Sequence, residues 1–254
     1  MIVTIDVGNT AISVGFFRHR RLLSSYSVPT ENFLKSTAYL FSSKNISKRK
    51  VFSNPFSSCI MCSVVPSLNK KIKQEVKRRL KCNTYIVGEN IKLPIRHRYK
   101  KITALGTDRL VNIFGGLRLY KPPFIIIDFG TAVTFDYVDK KGIFRGGLIV
   151  PGLMTSFTAL CEKASLLPKN LRLRKPKAFL GHISKECMIN GAVYGFASLT
   201  DGLISMFRKR YGRTVKVVLT GGSAAFIKPF LRSKIHLKPE LTLNALNLIL
   251  LDRV

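Results

Sequence analysis

One device occurs twice in this chain, at positions about half its length apart. Asp6-Val7-Gly8-Asn9-Thr10 lies between the apolar runs Ile2 to Ile5 and Ala11 to Phe17. Asp128-Phe129-Gly130-Thr131 lies between Phe124 to Ile127 and Ala132 to Val138. Each reads as a strand, a tight glycine turn and a returning strand. A repeat of this span points to internal duplication, and so to two related α/β lobes. We place the first lobe at residues 1–120 and the second at 121–254, with the closing helix able to pack back on the first. Of the 254 residues 46% are apolar, enough for a core in each half and far from a disordered composition. No linker of Pro, Gly or Ser separates the halves, so the lobes are expected to share an interface.

The turns carry a chemical implication. Glycine lets backbone approach a phosphate, and successive N–H groups form an anion-binding concavity. A neighbouring carboxylate can hold the cation that neutralises the phosphate. A single Asp-x-Gly more often just reverses a hairpin. Two copies, with a third glycine turn at Thr220-Gly221-Gly222, predict a nucleotide clasped between two lobes. Gly106-Thr107-Asp108-Arg109 has two readings, and both stay open on these residues alone. Thr and Asp suit a helix N-terminus. Equally, a carboxylate can take a proton from an attacking hydroxyl while an Arg pairs with an acidic substrate.

Between the turns, Thr107 to Tyr120, Lys185 to Arg210 and Leu241 to Leu251 read as helices, Val215 to Leu219 as a strand, and Ser223 as the start of a short helix. Leu68, Ile72, Val76 and Leu80 recur every four residues, making 67–81 an amphipathic helix with its Lys and Arg in water. Cys59-x-x-Cys62 sits in a buried-strand pattern whose i and i+3 positions face opposite ways, so it reads as core packing. His19, His97, His182 and His236 lack metal-ligand spacing. Asp136 and Asp139 are expected to end a strand at a turn, and Asp201 to lie on a helix facing a lobe interface or water.

Forty-three Lys+Arg against thirteen Asp+Glu give a net charge of +30. The clusters (Lys48-Arg49-Lys50, Lys70-Lys71, Lys77-Arg78-Arg79, Arg96 to Lys101, Arg172 to Lys177, Arg208-Lys209-Arg210) are scattered and not interleaved with aromatics. We read them as solvated surface, with only non-specific attraction for nucleic acid. Asp6 and Asn9 interrupt any secretory signal, no run approaches a membrane span, and five cysteines suit a reducing compartment. A cytosolic protein is expected.

The ordered set of motifs resembles the type III pantothenate kinases, within the superfamily of sugar and acetate kinases, heat-shock chaperones and actin. It runs from Asp6-Val7-Gly8-Asn9-Thr10 through Ser63-Val64-Val65-Pro66, Gly106-Thr107-Asp108-Arg109 and Asp128-Phe129-Gly130-Thr131-Ala132. It continues through Gly146-Gly147, Pro151-Gly152 and Thr220-Gly221-Gly222 to Pro239-Glu240-Leu241-Thr242-Leu243. The resemblance implies a duplicated ribonuclease H-like fold and transfer of the ATP γ-phosphoryl to the 4′-hydroxyl of pantothenate, the first step of coenzyme A biosynthesis. It implies that Asp6, Val7, Gly8, Asn9, Thr10, Ala11, Ile12 and Ser13 cradle the ATP phosphates, with Asp6 near magnesium. Thr131, Gly221 and Gly222 would contact ATP, and Asp128 would hold potassium or ammonium. Asp108 would be the general base, with Tyr99, Gly106, Thr107, Arg109 and Ser184 at pantothenate, and the active form a homodimer. The chain departs from the family pattern at His182-Ile183, where Lys-Asn is usual, at Ile102 for proline and at Thr107 for alanine. Two other classes share parts of the pattern: an actin- or chaperone-like ATPase switch, and a decayed kinase regulating through nucleic acid. Keeping Asp6, Asp108 and Asp128 among only thirteen acids speaks for a working kinase.

Overall fold

The computed structural model describes residues 1–36, 40–41 and 55–252; the cluster Lys48-Arg49-Lys50 lies outside them. The chain divides into two compact units, Met1–Leu119 with Glu240–Val254, and Tyr120–Pro239. The closing helix therefore belongs to the first unit.

In the first unit, β1 (Ile2–Val7), β2 (Ala11–Arg18) and β3 (Arg21–Pro29) form an antiparallel meander; β4 (Ser58–Ser63) and β5 (Asn83–Ile86) continue the sheet parallel to β1, in the order β3-β2-β1-β4-β5. The central strand is buried on both faces. Val3, Ile5 and Val7 enter one core, while Thr4 on the other face is fully buried and donates its hydroxyl to the Gly15 carbonyl at 3.5 Å. Helix α1 (Thr30–Lys35) follows β3, and α2 (Pro66–Leu80) joins β4 to β5. In α2 Leu68, Ile72, Val76 and Leu80 are buried as their spacing predicts. Glu75 is buried beside them, held by Arg78 at 2.6 Å and Arg79 at 3.2 Å.

Helices α3 (Thr107–Leu119) and α7 (Leu241–Leu251) pack together against this sheet, α7 meeting β1, β2 and β4. Their crossing is close because Gly115 faces Ala245: a Cβ at Gly115 would stand 2.6 Å from the Ala245 Cβ. The buried Thr242 hydroxyl donates to Asn112 Oδ1 at 2.8 Å across the same seam. Helix α7 is apolar almost all round, the composition of a buried helix.

The second unit repeats the plan. An antiparallel meander of β6 (Phe124–Phe129), β7 (Ala132–Val138) and β8 (Phe144–Pro151) is extended by β9 (Lys216–Thr220) and β10 (His236–Leu237) parallel to β6. The order is β10-β9-β6-β7-β8. Strands β6, β7, β8, β9 and β10 thus occupy the places of β1 to β5, as the paired turns predict. Helices α4 (Leu153–Lys163) and α5 (Ser184–Tyr211) join β8 to β9, and α6 (Ala224–Ile227) follows β9. Helix α5 stops at Gly212, whose φ of 109° few other residues adopt.

Two aspartates differ from expectation. Asp136 does not end a strand: it lies inside β7 and is 1% exposed, since the apolar alternation continues to Val138. Asp139 does make the turn, accepting N–H bonds from Lys141 at 2.9 Å and Ile143 at 3.0 Å.

Candidate active site

The first unit gathers its chemistry at the C-terminal ends of β1 and β4, which run parallel with Asp6 opposite Cys62 and Val7 opposite Ser63. The turn after β1 closes with the Gly8 N–H donating to the Ala11 carbonyl at 3.0 Å. Thr30, 4% exposed at the start of α1, locks this turn from behind: its hydroxyl donates to the Gly8 carbonyl at 2.8 Å and its N–H to the Thr10 carbonyl at 3.0 Å. Of Asp6 to Ser13, Val7 and Ile12 are fully buried in the core, while Asn9 and Thr10 are exposed. Backbone N–H groups and the side chains of Asn9 and Thr10 are what the turn offers a phosphate. Ser13 shares a 2.8 Å hydrogen bond with Ser27 on β3.

Asp108 reaches the same place from α3. The Thr107 hydroxyl donates to the Ser63 carbonyl at 2.8 Å and accepts the Ser63 N–H at 3.0 Å, pinning the first turn of α3 to the end of β4. Gly106 clears the way, because a Cβ there would strike Asp108 Oδ1. Asp108 also accepts the Arg109 N–H at 2.7 Å. Burial pushes the Asp108 carboxyl above its ordinary value, opposed by the hydrogen bond from Arg109 and by the Arg109 charge. Asp6 is pushed up to about 7, first by burial and then by the neighbouring charge of Asp108, while a hydrogen bond from Cys62 pulls the other way. Two carboxyls held so near each other in a buried setting form a site that a cation would relieve. Tyr99 is half-buried in the irregular stretch leading to α3, its carbonyl 3.1 Å from His97 Nδ1.

The second unit builds a companion cradle. Gly221, at φ 95°, lies so close to the end of β6 that a Cβ would strike Asp128 Oδ1 and stand 2.6 Å from the Phe129 N. Gly130 and Thr131 make the turn, and the Thr131 carbonyl accepts the Gly152 N–H at 3.0 Å and the Thr155 hydroxyl at 2.7 Å. Gly152 too is pressed against that turn, its Cβ direction running into the Gly130 carbonyl. Thr131 and Gly222 are exposed. Asp128 and Phe129 are thus closed in by Gly221, and Gly130 and Thr131 by Gly152. Ser184 begins α5 and is exposed; the preceding segment folds onto the helix through Asn190, which donates to the Ala178 and Phe179 carbonyls at 2.9 and 3.2 Å.

Several contributors were not legible beforehand. Cys62, read as packing, is fully buried and also donates its thiol to Asp6 Oδ1 at 3.3 Å. Its neighbour on β1 depends on the register of two strands far apart in sequence. Ser63 and Thr30 act through backbone hydrogen bonds that no spacing reveals. Among the described residues no cluster of His, Cys, Asp and Glu is arranged as a multidentate metal centre.

Two five-stranded sheets of the same topology, each with an Asp-Gly turn after its first strand, define the class: a duplicated ribonuclease H-like kinase or ATPase fold. Solved structures agree. The activator of 2-hydroxyisocaproyl-CoA dehydratase from Clostridium difficile with bound ADPNP matches with TM-score 0.52 and 12% identity, over 99% of this chain and 94% of that one. A protein from Sinorhizobium meliloti assigned as a 2-dehydro-3-deoxygalactonokinase matches with TM-score 0.57 and 10% identity, over 98% of both chains. The model of the type III pantothenate kinase family matches residues 2–206. The type III pantothenate kinase of Persephonella marina is 35% identical over 233 residues, 89% of each chain. The chain belongs to the type III pantothenate kinases, enzymes that phosphorylate pantothenate at the expense of ATP in coenzyme A biosynthesis.

Proposed function

We propose that Asp108 is the general base of this kinase, accepting the proton of the pantothenate 4′-hydroxyl as that oxygen attacks the ATP γ-phosphorus. The observation that carries this is the Asp108 carboxyl itself, half-buried, raised in pKa by burial and fixed beside Asp6 through the Thr107–Ser63 pair. A raised carboxyl is the stronger base, and such groups contribute roughly a hundred- to ten-thousand-fold to rate. Arg109, 8% exposed, supplies positive charge for the pantothenate carboxylate. Tyr99, Gly106, Thr107 and Ser184 complete the substrate-binding set.

The turn from Asp6 to Ser13 holds the ATP phosphates through backbone N–H groups, with Thr131, Gly221 and Gly222 as further ATP contacts. Asp6 fits a magnesium ion, since its proton affinity is raised by burial and by a second carboxylate, with no positive partner among the groups that shift it. Asp128 fits potassium or ammonium, in a cradle that any Cβ at position 221 would fill. When bound, these cations neutralise phosphate charge, while the protein's own groups position the reactants.

The enzyme acts as a homodimer in the cytoplasm. Among the described residues, apart from Leu23 and Leu119, the large apolar side chains left exposed belong to Tyr120–Pro239, among them Ile149 on edge strand β8, Phe179, Leu180 and Ile183. Exposed apolar surface of that kind suits a second copy of the chain. No helix among the described residues is long and apolar enough to cross a membrane. The test is ADP release with and without pantothenate, in potassium and then in sodium at equal ionic strength. Pantothenate-dependent turnover that needs potassium is expected. ADP release indifferent to pantothenate would reject the reading.

A further inference from the structure

A hollow of about 770 Å³ lies within the second unit, lined by residues of the last three turns of α5, by Gly212 and Arg213 after it and by Ser233 before β10. It sits at the far end of the sheet from Asp128 and Gly221. Helix α5 feeds β9 through Gly212–Val215, so its last turn stands at the N-terminal end of β9, whereas the Gly221 turn follows the C-terminal end. Five strand residues separate the two, roughly 17 Å. Strand β10 runs parallel to β9, so the segment holding Ser233 arrives at the same end.

The lining is built for an anion. It holds three cationic residues, Arg208, Lys209 and Arg213, and one carboxylate, Asp201. Both oxygens of that carboxylate are occupied: Oδ2 accepts the Arg232 N–H at 2.8 Å and Oδ1 the Ser233 N–H at 3.1 Å. Asp201 therefore fixes the wall of the hollow, and the hydroxyls of Ser205 and Ser233 add neutral donors. Basic residues in a final helical turn complement the partial negative charge of its carbonyls, which accounts for Arg208 to Arg210 as charge. It does not account for Arg213 beyond the helix or for Ser205 and Ser233 lining the same hollow.

We propose that this hollow is a second binding site, separate from the catalytic carboxylates, for the phosphate group of a small phosphorylated metabolite. Its volume falls in the range of small-molecule pockets, and a guanidinium with hydroxyl donors is the usual complement of a phosphate dianion.

Titration calorimetry with pyrophosphate at about 150 mM salt tests this, where loosely held surface charge is largely screened. Lys209→Gln/Arg213→Gln, on the exposed rim, is compared with Lys70→Gln/Lys71→Gln on the wet face of α2. Any binding at the catalytic glycine turns is common to both variants. The rim pair is expected to weaken one pyrophosphate site at least tenfold while pantothenate-dependent turnover persists, and the α2 pair to leave it unchanged. Arg208→Lys, which keeps the charge but loses the planar guanidinium fork, is expected to weaken the same site, with thermal denaturation confirming its fold. Equal losses from both pairs, or none from the rim pair, would overturn the proposal. So would a duplex DNA whose affinity falls with the rim pair while pyrophosphate binding does not, since the surface would then serve nucleic acid.

Discussion

Asp6 carries a proton in the folded chain at pH values where an ordinary aspartate has lost it, because burial and the Asp108 charge lift it from 3.8 to about 7. Between those values the folded state binds more protons than the unfolded state, so stability falls as pH rises and levels off above about 7. We expect the denaturation midpoint of the protein without divalent cation to drop between about pH 4 and 7, and Asp6→Asn to flatten that slope. An unchanged slope would mean another group is responsible. Asp108→Asn removes the proposed base but keeps shape, and turnover should fall by about a hundred- to ten-thousand-fold with ATP binding nearly intact. Equilibrium nucleotide binding and single-turnover rates separate the two. Asp128→Asn should abolish stimulation by potassium; stimulation that survives would put the cation elsewhere.

At the scale of elements, the placing of Asp108 depends on two joints. One is the Thr107 hydroxyl on Ser63, which fixes where α3 begins. Thr107→Val keeps the volume and loses both hydrogen bonds, so it should lower kcat more than it raises the KM for ATP. The other joint is the α3–α7 crossing. Gly115→Val would force the helices apart at Ala245, and overpacking of this kind costs about 1–3 kcal/mol. Urea denaturation should show a lower midpoint with an unchanged slope. The helical periodicities of α2 and α5, by contrast, could be read from spacing alone, and Gly212 closes α5 where the sequence says it must.

For the whole molecule, the exposed apolar side chains of the second unit and the +30 charge act on association. Ile149→Lys on edge strand β8 should shift the mass measured by light scattering from the proposed dimer toward monomer while leaving the monomer folded. A mass that stays dimeric would move the interface off this strand. With ATP and pantothenate both anionic, the encounter rate should fall as salt rises, because the field of a strongly basic surface is screened over about 10 Å at 0.1 M.

Local chemistry is why so much was legible. The paired Asp-Gly turns, the strands beside them and the Gly-Thr-Asp-Arg segment are runs whose conformation and reactivity reside in adjacent residues. They carried the duplicated fold and the candidate carboxylates. Tertiary structure decided the rest, because it depends on register between distant strands. The pairing of β1 with β4 sets Cys62 against Asp6 and hangs Thr107 on Ser63. The packing of α7 onto the first lobe was an expectation, but its close crossing with α3 at Gly115 and Ala245 was not legible. Asp136 looked like a strand end because a carboxylate in mid-strand is costly to bury, and only the folded sheet shows it enclosed. The Arg208 hollow is likewise invisible in a run of basic residues, since part of its wall comes from Ser233, more than twenty residues from Arg208.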